Sequence, residues 1–155
     1  MQKTNVMRIL DKNKIAYEFF EYDQNITNGE QVAEILGEDK KTVFKTLVTV
    51  SNIGENLVFI VPVAENLDLK KCAKCAGVKS VSMIKQKDLL GLTGYIHGGC
   101  SPVGMKKVFR TFIDTSASSL EKICFSGGHV GLQVKLSPSD LLKVIKFEYG
   151  ELTLN

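Results

Sequence analysis

The apolar positions of this chain fall into short runs of two kinds. Some recur at three- and four-residue spacing, as on one face of a helix; others are continuous or alternating, as in strands. Val6, Ile9 and Leu10 follow Thr4, a helix-capping residue type, and the run stops near Asn13. Ile15 to Tyr22 is strand-like. Asn28 is placed to cap a second helix, with Val32, Ile35 and Leu36 inward and Gly37 at its stop. Val43 to Val50 and Leu57 to Val63 are apolar, β-branched runs joined by Ser51-Asn52-Ile53-Gly54, which predicts a hairpin. Asp68 opens a third helix that ends at Gly77. Val78 to Met83 reads as a short strand and Gln86 to Leu90 as a short helix, followed by a Gly-rich loop from Gly94 to Gly104. Thr111 to Asp114, Lys122 to Phe125 and Leu132 to Leu136 are further strands, with Gly127-Gly128 turning between the last two. Ser137-Pro138-Ser139-Asp140 is a helix start, for a last helix over about residues 140–146.

Helices and strands interleave irregularly, with no βαβ series and no internal repeat. This predicts an α+β fold, one domain over residues 1–155, with a mixed, mainly antiparallel sheet flanked by helices. Strands apolar on both faces must be covered on both sides or belong to a sheet that curls on itself, so a curved, barrel-like sheet is expected. The chain has 155 residues, and folding at that length buries about 70% of the unfolded surface, enough for a core without staples. The start of the chain has no apolar secretory core and no run approaches the ~20 residues of a membrane span, so a cytoplasmic protein with free thiols is expected. The net charge is +3, from 18 Lys and two Arg against 17 acidic residues. Two arginines argue against dense base readout, while diffuse attraction of lysines to a phosphate backbone stays open.

One position breaks the pattern. Lys45 lies inside the apolar strand; alternation puts Phe44, Thr46, Val48 and Val50 on one face and Val43, Lys45, Leu47 and Thr49 on the other. An ammonium there is either paired or hydrated in a cavity, as at a site for an anionic or carbonyl-containing ligand, or its head snorkels to water from an edge. The loop Gly98-Gly99-Cys100-Ser101-Pro102-Val103-Gly104 crowds three glycines and a proline into seven residues, so its N–H groups can approach a ligand closely. It matches neither phosphate-binding glycine pattern. Cys72-Ala73-Lys74-Cys75 has the spacing of a zinc or redox pair, but it falls within the third helix and no second pair accompanies it. No metal and no cofactor is expected, and the cysteines read as small packing residues. Neither His97 beside Cys100 nor His129 beside Cys124 has an evident orienting carboxylate for nucleophilic chemistry. Of the aromatic cluster before the polar loop, Phe19 and Phe20 read as core and Tyr22 as near a site.

In order and spacing, Thr4-Asn5-Val6-Met7, Val43-Phe44-Lys45-Thr46-Leu47, Val61-Pro62-Val63, Leu67-Asp68-Leu69-Lys70-Lys71, Thr93-Gly94-Tyr95, Gly98-Gly99-x-Ser101-Pro102-x-Gly104, Phe112-Ile113-Asp114, Ser126-Gly127-Gly128 and Gly131-Leu132 resemble the YbaK/EbsC family of aminoacyl-tRNA deacylases. That family is related to the editing insertion of bacterial prolyl-tRNA synthetases, and the resemblance runs from about Thr4 to Leu141. It implies release of cysteine from mischarged Cys-tRNA(Pro), with Cys-tRNA(Cys) a second candidate, and Lys45 as the essential catalytic residue. It implies substrate contacts at Tyr22, Asn28, Thr46, Gly98, Gly99, Ser101, Pro102, Gly104, Ser126, Gly127, Gly128 and Gln133. Gln133 stands where the best-known members carry Asp, and Gly29 where they carry an aromatic residue. The implied mechanism is substrate-assisted, the cysteinyl thiol attacking its own carbonyl and leaving as a thiolactone, with Lys45 on the terminal phosphate or ribose. The partner implied is the tRNA acceptor end, with prolyl-tRNA synthetase as a candidate second partner and a monomer as the expected state. Deacylation of Ala- or Ser/Thr-charged tRNA by water, and a non-catalytic RNA-binding module, are the alternative readings.

Overall fold

The structure, a computed structural model, describes residues 2–155. Its order is α1 (Asn5–Lys12), β1 (Glu18–Glu21), α2 (Gly29–Leu36), β2 (Phe44–Ser51), β3 (Asn56–Pro62), α3 (Leu69–Ala76), β4 (Val81–Met83), a 3₁₀ turn at Gln86–Asp88, α4 (Leu89–Thr93), β5 (Arg110–Asp114), a 3₁₀ turn at Thr115–Ser119, β6 (Ile123–Ser126), β7 (Leu132–Leu136), α5 (Pro138–Leu141) and β8 (Glu148–Gly150). The caps expected from the sequence form. Thr4 Oγ accepts from the Met7 N–H, Asn28 from Glu30 and Gln31, and Asp68 from Lys70 and Lys71. Gly37 and Gly77 end their helices in the left-handed conformation.

The strands form two sheets, β1-β7-β6 and β4-β2-β3-β5-β8. Among the described residues β1-β7, β2-β3, β2-β4 and β6-β7 are antiparallel, and β3-β5 and β5-β8 are parallel. The barrel-like expectation is not met. Among the described residues the only ladder contact between the two sheets is the bridge Val43↔Cys124, beyond which the edge of β2 separates from β6. Apolar residues on both faces are instead covered by separate layers. One face of the five-stranded sheet (Phe44, Val48, Val58, Ile60, Ile113) packs against Ile123, Phe125, Val134 and Leu136 of the smaller sheet and against Val6 and Leu10 of α1. The opposite face (Leu57, Phe59, Val61, Phe112) is covered by Cys72, Ala73 and Ala76 of α3. There Phe59 and Phe112 stack with ring centroids 5.5 Å apart.

Three local expectations are corrected, and one strand is added. Phe19 is 48% exposed, because β1 is an outer strand and the ring lies at the sheet's rim. Ile35 is 53% exposed, because α2 seats itself through Ala33 on Val43, Val63 and Cys124, which turns Ile35 outward. The last helix stops at Leu141 and continues only as turns. The chain then enters β8, a three-residue strand that the sequence pattern does not announce. No helix is long and apolar enough to cross a membrane among the described residues.

Candidate active site

The site follows from where β2 loses its partners. Val43 C=O accepts from the Val63 N–H (2.8 Å), on the β3 side. Thr42 C=O accepts from the Cys124 N–H (2.8 Å) and Val48 C=O from the Ile84 N–H (3.4 Å), on the opposite side. Main-chain groups alternate along a strand, so those of Phe44 and Thr46 also face this second edge. There β6 reaches only Val43, and β4 pairs only with Thr49–Ser51. The edge between them borders a cavity of about 470 Å³. That is the size of a small-ligand site, and an unpaired strand edge within it offers donors and acceptors.

Side chains from both faces of β2 reach this cavity, Lys45 from the α2 side and Thr46 from the other. The other walls are Asn28, Gly29 and Glu30 at the start of α2, Tyr22 after β1, His97, Gly98 and Cys100 of the glycine loop, Ser126 of β6 and Gln133 of β7. Ser126 and Gln133 are cross-strand partners, so they present side chains on the same face. Of the residues singled out from sequence, the cavity thus gathers Tyr22, Asn28, Lys45, Thr46, Gly98, Ser126 and Gln133.

Gly99, Ser101, Pro102, Gly104, Gly127 and Gly128 do not line it. They form the frame behind. A Cβ on Gly99 would stand 3.0 Å from the His129 Cα, and one on Gly104 (φ 78°) 2.9 Å from Tyr95 Oη. The loop therefore needs glycine to press against the β6–β7 turn and α1. Ser101 is fully buried and its Oγ accepts from the Val103 N–H. Thr4 Oγ donates to the Gly127 carbonyl (2.7 Å), and Ser126 Oγ accepts from the Gly128 N–H (3.2 Å), which ties the turn to the start of α1.

The electrostatics are unusual. Lys45 is half-buried and makes no ion pair among the described residues. Desolvation pulls its pKa below the ordinary lysine value, only partly offset by the fields of Glu30 and Glu65. Two buried oxygens of residues lining the same cavity, Thr46 Oγ1 and Gln133 Oε1, have no hydrogen-bond partner among the described residues. Orphaned polar atoms are rare in folded proteins, and two of them on residues of one cavity leave acceptors free for a polar ligand. Cys100, the one thiol that lines the cavity among the described residues, is held at about 12 by burial and so is not a thiolate nucleophile at neutral pH.

Several wall residues were not marked as site residues by the sequence: Thr27, Val63, Met83, Ile84, Gln86 and Leu89 come together only through tertiary packing. Val63 is instructive. A Cβ on Gly29 would lie 2.6 Å from Val63 Cγ1, so valine occupies the space beside the helix start that a side chain at position 29 would need.

The model of the aminoacyl-tRNA editing domain matches residues 23–144. The chain belongs to the aminoacyl-tRNA editing domain family, as the lysine strand and glycine motifs implied. A protein of Enterococcus faecalis, under the provisional name Cys-tRNA(Pro)/Cys-tRNA(Cys) deacylase EbsC, is 43% identical over 154 residues, 98% of this chain and 94% of that protein. Solved structures share the fold at lower identity. One provisionally named as a trans-editing enzyme for prolyl-tRNA synthetase has a TM-score of 0.85 at 20% identity, covering 99% of this chain and 100% of that one. Another, of a hypothetical protein, has a TM-score of 0.88 at 20% identity, covering 97% of this chain and 99% of that one.

Proposed function

We propose that the chain is an aminoacyl-tRNA deacylase that releases cysteine from Cys-tRNA(Pro), with Cys-tRNA(Cys) as a second substrate. The observation that carries this reading is the unpaired Lys45 ammonium sharing a cavity with two orphaned oxygens. Together they suit a ligand with an anionic or carbonyl part and a cationic amino group, as an aminoacyl ester on a terminal ribose has. Gln133 Oε1 accepts from the α-ammonium, Lys45 holds the terminal phosphate or ribose, and N–H groups of the loop from Gly98 meet the carbonyl oxygen.

No side chain in the cavity is an evident nucleophile, so the nucleophile comes from the substrate. The cysteinyl sulfur attacks its own carbonyl carbon. A C–S bond forms, the C–O bond to the ribose breaks, the thiol proton passes to the ribose oxygen, and the product is a thiolactone. Folding the substrate into the reactive conformer supplies roughly 7–11 kcal/mol of the barrier. The cavity grips the acceptor end, and selection of the rest of the tRNA falls to a synthetase partner.

Parallel deacylation assays with Cys-tRNA(Pro), Cys-tRNA(Cys) and Ala-tRNA(Pro) test the reading. Release of cysteine ahead of alanine supports it. Equal release of both overturns thiol assistance, and no release from any of the three overturns catalysis in favour of an RNA-binding module.

A further inference from the structure

The cavity does not end at β4. Met83 and Ile84 belong both to its wall and to an open groove that continues over Lys85, Lys87, Asp88 and Leu92. Lys85 and Lys87 are exposed and neither is in an ion pair among the described residues, so two ammonium groups stand against the carboxylate of Asp88. On the α2 side no lysine of the wall is left over for a phosphate chain once Lys45 holds the terminal group. Glu30 lines the wall, already paired with Lys40 at 3.2 Å, and the field of Glu65 also reaches Lys45. A phosphate chain leaving the cavity meets the paired Glu30 on the α2 side and two lysines outside any ion pair on the β4 side. Exposed Met83 (47%) lies between cavity and groove as an apolar surface for a ribose or base.

We infer that this groove is the exit path of the RNA strand: the single-stranded 3′ end whose last nucleotide enters the cavity runs across Met83 and Ile84, with its preceding phosphates on Lys85 and Lys87. This rests on the aminoacyl-RNA reading given above and adds to it a direction and two phosphate contacts. The contacts are charge-based and sequence-independent, as suits a 3′ end common to all tRNAs. Each phosphate neutralised on a single strand adds about 0.7 to the slope of log affinity against log salt, so two lysines account for about 1.4.

The test uses the full chain and its Lys85→Glu/Lys87→Glu double variant. A control, Lys74→Glu/Lys146→Glu, makes the same charge change at exposed residues outside cavity and groove. Affinity is read by fluorescence anisotropy on a labelled RNA hairpin with a single-stranded tRNA 3′ tail, over a salt series. Deacylation is read on Cys-tRNA(Pro) and on 3′-cysteinyl adenosine, which lacks the preceding phosphates. The groove variant is expected to bind the hairpin roughly tenfold more weakly at low salt and to lose about 1.4 of slope. It should raise KM on Cys-tRNA(Pro) by a similar factor and act on cysteinyl adenosine within twofold of the parent. Equal weakening by the control, or no weakening by the groove variant, overturns the path. An equal loss on cysteinyl adenosine overturns it too, since the damage would then lie in the cavity. A parent that binds the hairpin through these lysines but deacylates nothing keeps the path and defeats the proposed function. A parent that deacylates with both lysines silent does the reverse.

Discussion

Gln133→Met separates what the site does for substrate from what it costs the fold. Gln133 is 7% exposed, lies across from Ser126 and Phe20, and its Oε1 has no partner. A buried acceptor left unsatisfied costs about 1–3 kcal/mol. Methionine fills nearly the same volume without a polar atom, so the free protein should gain stability by about 1–3 kcal/mol. For a chain of 155 residues, each kcal/mol moves Tm by roughly 2–4 °C. The opposite effect falls on the substrate. A hydrogen bond from an ammonium is worth about 1.5–3 kcal/mol, so its loss should lower kcat/KM for Cys-tRNA(Pro) roughly 10- to 150-fold. Thermal unfolding and steady-state cysteine release, measured on the same preparation, check both signs. A variant that melts lower and releases cysteine at the parental rate refutes the assignment, because Oε1 would then be satisfied in the free protein and irrelevant to substrate. Gln133→Asp is the complementary change: a buried carboxylate should lower Tm, while its charge should lower KM.

Further predictions follow from burial and backbone geometry. The folded pKa of Lys45 is lowered, so the fold disfavours its charged form, and stability is gained as pH rises through that value. Lys45→Met should therefore raise Tm at neutral pH, with the gain shrinking at alkaline pH. If release requires the ammonium, its alkaline limb should fall below the ordinary lysine value of 10.5, as a pH–rate profile would reveal. Gly104→Ala forces a Cβ to within 3.0 Å of Asn5 Nδ2 at a positive φ, and should lower stability by about 1–3 kcal/mol in denaturant titration. Burial holds Cys72, Cys100 and Cys124 at about 12, so at pH 8 iodoacetamide should modify the half-buried Cys75 first. Peptide mapping showing Cys100 modified as fast would contradict that ordering.

The parts of the fold that were legible in the sequence are those fixed by local chemistry. Thr4, Asn28 and Asp68 name helix starts because their side chains bond the first free N–H groups, and Gly37 and Gly77 name stops because they adopt a positive φ. Lys45 was legible because a cation inside an apolar strand needs a reason. What stayed hidden depends on contacts between distant segments. The parallel pairing of β3 with β5 and of β5 with β8 leaves no periodic trace in either partner. Apolar residues on both faces of β2 fit a curled sheet as well as a layered one, and only the end of pairing at Val43↔Cys124 decides between them. The same break opens the cavity, so Thr27, Met83, Ile84, Gln86 and Leu89 of its wall were hidden for the same reason. The glycine loop divides likewise: composition marked it, but only packing separates Gly98 at the cavity from Gly99 and Gly104 in the frame.

The central claim is that the Lys45 ammonium in this cavity acts on an aminoacyl ester. Single-turnover release of labelled cysteine from Cys-tRNA(Pro), with enzyme in excess, tests it most directly when the parent is compared with Lys45→Met and Lys45→Arg. The account predicts complete release by the parent, a rate at least about 100-fold lower for Lys45→Met, and partial recovery with Lys45→Arg. Release by Lys45→Met at the parental rate would contradict it.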